Sequence, residues 1–378
     1  MSAAPSGSIE FLPTVRRLHH GVGVLTQALM QELKAASAAR PCAVLARALQ
    51  GSATAQALAE LFGAESLYFG AFEHVPPAAV LQVAGWLRER NADFVVAVGG
   101  GSAIDTAKAA RFVLAAGLEQ PDALLPAMEA ATPAGTWLAQ VSVPTTLSGA
   151  EYTRSFSVTD LGARRKRSHT ASACASTAIV YDPTATLHTP KPLWLGSGFV
   201  ALDHALEVFV TSAPHPVADA LKGEAAATLF AKLPESASTD ALEARLACQL
   251  AGWMVDHSPL RAKASGASGQ PWSHLLAYEL AAIARLSYTE AAVLTLASSL
   301  RVLGQDPRCA GRQDELARRL GSTRTLSGLV DELAIRLELE RPRVPDEVLR
   351  EAASACAART GASATGCAAV LGLAPPRG

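Results

Sequence analysis

The stretch FVVAVGGGSAIDTAKAARFV (94–113) decides the fold, because it joins an uninterrupted apolar run to a glycine turn and then to a helical pattern. A short continuous apolar run is typical of a strand that is buried on both faces. Three consecutive glycines let the backbone approach a ligand closely, and the helix that follows offers unpaired N–H groups and the positive end of its dipole. The stretch therefore predicts a strand, a phosphate-binding turn and a helix, with a tight turn that binds nothing as the alternative.

Short apolar runs alternate with helical patterns through the first half of the chain. Strand-like runs are PCAVLA (41–46), TWLAQVSVPTT (136–146) and STAIVYDP (176–183), and helical segments such as 54–63 and 78–91 lie between them. This alternation is typical of a parallel α/β sheet. From about residue 184, Ala/Leu-rich segments with a period near 3.6 follow one another. We therefore predict a Rossmann-like parallel α/β domain, which contains the phosphate-binding turn, over 1–183 and an all-helical domain over 184–378, with a shared cleft.

Charge and cysteine usage exclude several classes of protein. The chain has 33 lysines and arginines against 34 aspartates and glutamates, so it lacks the basic surface expected of a nucleic-acid-binding protein. The six cysteines form no CxxC pair, which argues against a disulfide framework or a cysteine metal site. No apolar run reaches the roughly 18 residues of a membrane span, and the first residues lack the pattern of a signal peptide. We expect a cytoplasmic protein with neither a nucleic-acid nor a membrane partner.

Five blocks, in order, resemble the iron-containing alcohol dehydrogenase superfamily, whose fold is dehydroquinate synthase-like. They are AVGGGSAIDTAKAAR (97–111), VPTTLSGAEYT (143–153), IVYDPTATLHTP (179–190), GSGFVALDHALEVFV (196–210) and SHLLAYELA (273–281). The short second block is similar to that of the maleylacetate reductases. The resemblance implies an oxidoreductase that binds NAD(P), acts on a small molecule in an interdomain cleft and forms a homodimer. The residues it assigns to the cofactor are Gly99, Gly100, Gly101, Ser102, Asp105, Thr145 and Thr146.

Two arginines bear on the choice between NADP and NAD. Relatives that prefer NAD often carry an acidic residue after the strand that begins near residue 42, where this chain has Arg47. An arginine can pair with a 2′-phosphate, so Arg47 favours NADP(H); a solvated loop arginine is the alternative. Arg164 falls near a lysine that the family places beside the cofactor. Arg164 is also, with Arg154 and Lys263, a candidate for contacting an anionic group of the substrate.

The resemblance also implies a metal site that this chain has partly lost. Metal-dependent relatives hold iron or zinc with an aspartate and a histidine four residues apart on one helix and two later histidines. Aligned blocks put Val200, His204, His274 and Tyr288 at those four positions. Asp203 would point away from an ion held by His204, because it lies about 100° round the helix. The adjacent residues Asp256 and His257 could bind the ion only if the metal site had a different geometry from that of the family. We therefore expect no catalytic metal.

Without an ion, side chains must supply the proton that a carbonyl oxygen takes up during hydride transfer. The candidates are His204, His274, Tyr278 and Tyr288, with a hydrogen-bonded core histidine and ordinary tyrosine packing as the alternatives. The sequence predicts a metal-independent NAD(P)H-dependent reductase of a small aldehyde, ketone or keto-carboxylate. The alternatives are a non-redox biosynthetic enzyme that catalyses elimination, condensation or isomerisation, and a catalytically silent subunit.

Overall fold

The structure is a computed structural model that describes residues 15–70, 72–160, 162, 165–256 and 272–373. These residues form two compact units. The α/β unit contains Leu12–Pro190 and Thr239–Gln249. The helical unit contains Lys191–Ser238 and Leu250–Gly378. The predicted domain boundary after residue 183 stays a prediction.

A parallel sheet of six strands forms the centre of the α/β unit, in the order β1-β8-β5-β4-β2-β3. Its strands are β1 (Arg17–His20), β2 (Pro41–Ala46), β3 (Leu67–Gly70), β4 (Phe94–Gly99), β5 (Ala139–Pro144) and β8 (Ala178–Tyr181). Two further strands, β6 (Ser155–Asp160) and β7 (Arg165–Thr170), form a separate antiparallel hairpin. The predicted parallel α/β architecture is confirmed.

Helices cover both faces of this sheet, which explains why strand β4 is apolar throughout. Its residues Val95 and Ala97 pack with the helices of one face, whereas Val96 and Val98 pack with those of the other. Successive side chains of a strand point to opposite faces, so a strand buried on both sides needs an apolar residue at every position. The helices are α1 (Leu25–Ala36), α2 (Ala53–Phe62), α3 (Pro77–Glu89), α4 (Gly101–Ala116) and α5 (Leu124–Glu129).

The described residues after β8 are mainly helical, as the period of 3.6 predicts. The helices are α6 (Lys191–Thr211), α7 (Pro216–Glu235), α8 (Leu242–Asp256), α9 (Trp272–Ile283), α10 (Tyr288–Leu303), α11 (Pro307–Arg319), α12 (Leu326–Arg336), α13 (Asp346–Thr360) and α14 (Ala364–Val370). Helix α6 lies at the centre of the helical unit, where α7, α9, α10 and α11 pack against it. It therefore presents residues to several neighbouring helices at once.

Helix α6 is long and apolar enough to cross a membrane by length and composition alone. The sequence contains no uninterrupted apolar run of that length, and the helix is apolar enough only as an average over 18 residues that include polar ones. In the structure, 89% of those 18 residues are buried inside the protein. Core helices pass the same test, so this is weak evidence for a membrane span.

Candidate active site

The strand order places β2 and β4 side by side at a switch in the direction of the chain. From β2 the chain continues to β3 on one side of the pair, and from β4 it continues to β5 on the other side. Open α/β sheets bind ligands in the crevice that such a switch creates at the carboxyl ends of the strands. The glycine turn follows β4 and Arg47 follows β2, so both occupy this edge of the sheet.

The glycine turn is packed so closely that a side chain on any of its three glycines would force a neighbouring group to move. Gly99 has a φ of +151°, and a Cβ there would lie 2.7 Å from the Cβ of Ala103. A Cβ on Gly100 would lie 3.1 Å from Thr146 Cγ2, and one on Gly101 would lie 2.8 Å from Ser148 Oγ. The N-cap of α4 is Gly100, which has no side chain that could cap the helix. The first-turn N–H groups and the helix dipole therefore fit a phosphate group.

The loop after β5 is tied to this turn by hydrogen bonds. The Thr145 N–H donates to the carbonyl oxygen of Gly99 at 2.9 Å, and the Thr189 hydroxyl donates to the carbonyl oxygen of Thr145 at 2.8 Å. Thr146 and Thr145 are both buried. The structure thus brings Thr145 and Thr146 to the glycine turn, and Ser102 is exposed in the first turn of α4. Contacts of these residues with a cofactor stay predictions.

Arg47 is the first residue after β2, and its side chain is exposed. The described residues offer it no carboxylate or other hydrogen-bond partner. It lies at the same edge as the glycine turn, because a Cβ on Gly99 would be 3.0 Å from the Cβ of the preceding residue, Ala46. An exposed guanidinium at this place can pair with a phosphate group. Arg164 and Lys263 lie outside the described residues, and Arg154 is exposed.

The motif residues Asp105 and Lys108 form hydrogen bonds with β6 and the segment before it, and not with the glycine turn. The Asp105 carboxylate accepts the N–H of Ser157 in β6 at 3.1 Å. The Lys108 ammonium donates to the carbonyl oxygens of Ala150 and Thr153, each at 2.6 Å. Burial raises the pKa of Asp105 to about 6 and lowers the pKa of Lys108 to about 8. Both contacts are structural, and a contact of Asp105 with a cofactor stays a prediction.

Three of the four candidates for proton transfer meet in the helical unit. His204 from α6, His274 from α9 and Tyr288 from α10 form a chain of hydrogen bonds, called here the proton-transfer chain. His204 Nε2 lies 2.8 Å from His274 Nδ1, and the Tyr288 hydroxyl lies 2.5 Å from the same Nδ1. Helix α10 comes close to α6 because Gly196 has no side chain; a Cβ there would overlap Thr289.

Each of the three residues of the proton-transfer chain can hold a proton that it shares with its neighbour. When neutral His274 carries its proton on Nε2, its Nδ1 accepts a hydrogen bond from the Tyr288 hydroxyl. When it carries the proton on Nδ1, that N–H donates a hydrogen bond to His204 Nε2. Burial raises the pKa of Tyr288 well above its ordinary value, and the nearby carboxyl groups of Asp203 and Glu207 raise it further. Its hydroxyl therefore stays protonated near neutral pH and remains a donor.

The fourth candidate, Tyr278, lies one turn after His274 in α9 and contacts an arginine that the sequence analysis missed. The guanidinium carbon of Arg359, in the last turn of α13, lies 4.6 Å above the centre of the Tyr278 ring. Arg359 Nε also pairs with Glu279 Oε1 at 2.6 Å. No motif links residue 359 with α9, so only the packing of the two helices reveals this contact.

The residues present do not fit an iron or zinc ion. Val200, one turn before His204, is buried and has no ligand atom. Among the residues that the structure describes, no group of three or more histidines, cysteines, aspartates or glutamates could hold a metal. Two histidines alone bind such ions weakly. His257 and the side chain of Asp256 lie outside the described part of the chain.

Comparison with known proteins identifies the family. The model of the iron-containing alcohol dehydrogenases matches residues 15–183, and that of the C-terminal part of the Fe-containing alcohol dehydrogenase family matches residues 195–365. The chain belongs to the iron-containing alcohol dehydrogenase family. The predicted resemblance, including its maleylacetate reductase-like branch, is confirmed.

Individual relatives are dehydrogenases and reductases. The chain is 34% identical over 200 residues to the dehydrogenase FUM7 of Gibberella moniliformis, covering 48% of this chain and 46% of the relative. It is 32% identical over 206 residues to a maleylacetate reductase of Sphingobium indicum, covering 53% and 52%. The matches thus span about half the length of these two relatives. The fold is similar to that of a sulfoacetaldehyde reductase from Bifidobacterium kashiwanohense in complex with NAD⁺, with a TM-score of 0.78, 22% identity and 93% of each chain covered.

Proposed function

We propose that this protein is an NAD(P)H-dependent reductase of a small carbonyl compound that works without a bound metal. The observation that carries the proposal is the proton-transfer chain His204–His274–Tyr288. The family resemblance assigns these three positions to the metal site of metal-dependent relatives. Hydride addition to a carbonyl leaves negative charge on its oxygen, and this charge must be neutralised. Three side chains that exchange protons can do this at a place where Val200 cannot help to bind an ion.

The nucleotide would be held at the switch between β2 and β4. The close-packed glycines and the uncapped start of α4 fit its pyrophosphate, and the relative solved with NAD⁺ supports a dinucleotide. The exposed Arg47 supports NADP(H) over NAD(H), because a guanidinium matches a phosphate whereas ribose hydroxyls favour a carboxylate. NAD(P)H, when bound, supplies the hydride.

The protein's own residues would supply the proton. The carbonyl oxygen takes it from the proton-transfer chain as the carbon gains the hydride, so a C=O group becomes a C–OH group. Either His204 or Tyr288 can then pass a proton to His274, and solvent restores the proton that the chain has lost. Positioned side-chain acids of this kind contribute about 10²- to 10⁴-fold in rate.

Among small carbonyl compounds, Arg359 favours substrates that carry an anionic group. Its guanidinium is oriented by the Tyr278 ring and by Glu279, while 42% of its side chain remains exposed. A guanidinium held in this way can bind a carboxylate with its outer nitrogens. Tyr278 follows His274 by four residues, which puts the two side chains on one face of α9. A keto-carboxylate could therefore contact both Arg359 and the proton-transfer chain.

The first experiment measures cofactor binding and turnover by the same chelator-treated protein. We expect NADPH to bind more tightly than NADH, and NADPH to be oxidised with at least one of maleylacetate, sulfoacetaldehyde or propanal. Absence of binding of either nucleotide at high micromolar concentration would end the proposal. Product formation without net consumption of NADPH would instead favour non-redox chemistry. A homodimer and a cytoplasmic location stay predictions, which light scattering and cell fractionation can check.

A further inference from the structure

Two carboxyl groups lie buried side by side behind the proton-transfer chain. Asp203 and Glu207 are one turn apart on α6, and each has 0% of its surface exposed. Neither forms an ion pair with any lysine, arginine or histidine of the described residues. Two ionised carboxylates in an apolar interior without a cation would cost a great deal of free energy. The pair therefore retains a proton.

The hydrogen bonds show which of the two carboxyl groups carries the negative charge. Both oxygens of Glu207 lie 2.8 Å from the Ser273 nitrogen, and Glu207 also accepts the Ser299 hydroxyl. Asp203 accepts only the Ser273 hydroxyl, at 3.1 Å, and its Oδ1 has no partner among the described residues. Donors stabilise the anion, so the charge lies on Glu207 and the proton on Asp203.

The pKa directions agree with this assignment. Burial raises the pKa of Glu207 to about 7, against the opposing effect of its hydrogen-bond donors. Burial, followed by the neighbouring charge of Glu207, raises the pKa of Asp203 well above its ordinary value.

Glu207 connects this buried pair with the first turn of α9. Besides the Ser273 N–H, it accepts the N–H of His274. These N–H groups have no partner within α9, because the first turn of a helix lacks preceding carbonyl groups. A carboxylate at this end also interacts favourably with the helix dipole. Glu207 therefore acts, from α6, in the way that an N-cap side chain acts from within its own helix.

We propose that Glu207 is a positioning residue for His274. Its carboxylate fixes the first turn of α9, so that His274 Nδ1 stays within hydrogen-bonding distance of both His204 and Tyr288. Asp203 holds the proton of the buried pair, so the negative charge stays on Glu207. The role in turnover rests on the proposed function, whereas the positioning of the imidazole does not.

Two amide substitutions separate the two carboxyl groups. Glu207→Gln keeps the shape but loses the charge and turns an N–H donor toward α9, so kcat should fall about 100-fold, as expected for a misplaced proton-transfer group. Binding of NADPH should not change. Asp203→Asn replaces a group that is already neutral, and kcat should stay within about threefold of the wild type. The opposite order of effects would overturn the proposal.

Asp219→Asn is the matched control, because Asp219 is a buried carboxylate of the same unit with a different partner. It pairs with Arg312 at 2.6 Å. Its loss should lower the melting temperature without lowering kcat per folded molecule. If Asp219→Asn lowers kcat as much as Glu207→Gln does, loss of kcat reports general destabilisation and the positioning role is refuted.

A second readout does not depend on turnover. In protein labelled with ¹⁵N-histidine, the imidazole signals of His274 and His204, assigned with His274→Gln and His204→Gln, should shift and broaden in Glu207→Gln but not in Asp219→Asn. Unchanged signals would overturn the proposal whatever the activity. Changed signals in a protein that reduces no carbonyl probe would support the positioning role and refute the reductase.

A milder variant covers the case in which Glu207→Gln does not fold. Ser299→Ala removes one hydroxyl donor to Glu207 and leaves the carboxylate in place. The His274 signals should shift in the same direction and to a smaller extent. Unchanged signals in this variant would also contradict the proposal.

Discussion

Replacing Tyr288 with phenylalanine tests the proton-transfer chain directly. Tyr288→Phe keeps the ring and removes the hydroxyl that lies 2.5 Å from His274 Nδ1. Loss of a positioned proton donor costs about 10²- to 10⁴-fold in rate. Because His204 Nε2 remains 2.8 Å from the same nitrogen, we expect the lower end, about 100-fold in kcat or about 2.7 kcal/mol. Removal of one hydrogen bond should lower the free energy of unfolding by about 1 kcal/mol.

The assay is stopped-flow oxidation of bound NADPH in H₂O and in D₂O, with the best carbonyl probe. Tyr288→Phe should slow the single turnover and increase the solvent isotope effect, because proton delivery becomes slower, while NADPH binds as before. Tyr68→Phe is the control, because Tyr68 packs on Trp86 with ring centres 5.3 Å apart and has no proposed role in proton transfer. A Tyr288→Phe rate within about threefold of the wild type, with the same isotope effect, would refute the reasoning.

Three further predictions concern the cofactor and the buried charges. Gly101→Val should weaken NADPH binding at least about tenfold, because its Cβ would lie 2.8 Å from Ser148 Oγ. Gly85→Ala should leave binding unchanged, because Gly85 has open space around it. Equal titration curves for the two variants would contradict phosphate binding by the glycine turn. Arg47→Ala should weaken NADPH about tenfold and leave NADH unchanged; equal losses for both nucleotides would rule out a 2′-phosphate contact. The pKa of Glu207 is raised from 4.5 to about 7, so the folded state binds the proton more tightly than the unfolded one. Its contribution to stability is fully present below pH 4.5 and is lost as the pH rises through about 7. Urea unfolding should show this decline in the wild type and a flatter profile in Glu207→Gln, and parallel profiles would contradict the shift.

The interior of the fold was predictable from the sequence, whereas its edges were not. The runs 41–46 and 94–98 became β2 and β4, because strands covered on both faces must be apolar at every position. Strand β1 (Arg17–His20) escaped prediction, because it lies at the edge of the sheet and its residues are partly exposed. Strand β6 alternates the buried Phe156 and Val158 with polar residues, and β7 is polar, so neither strand forms a continuous apolar run.

The candidate site was predictable where helical spacing or family blocks fixed a residue. His204, His274 and Tyr288 come from three helices, and the aligned blocks assigned them to one site, where the structure places them together. Arg359 and the link from Glu207 to α9 could not be predicted, because they depend on how separate helices pack. Spacing along one helix carries no such information.

The most direct test of the account is elemental analysis of the same protein sample whose turnover with NADPH is measured. The account predicts full activity after chelation, iron and zinc well below one ion per chain, and no gain when either metal is added back. Stoichiometric iron or zinc bound at His204 and His274, with activity that disappears on its removal and returns with the ion, would contradict it.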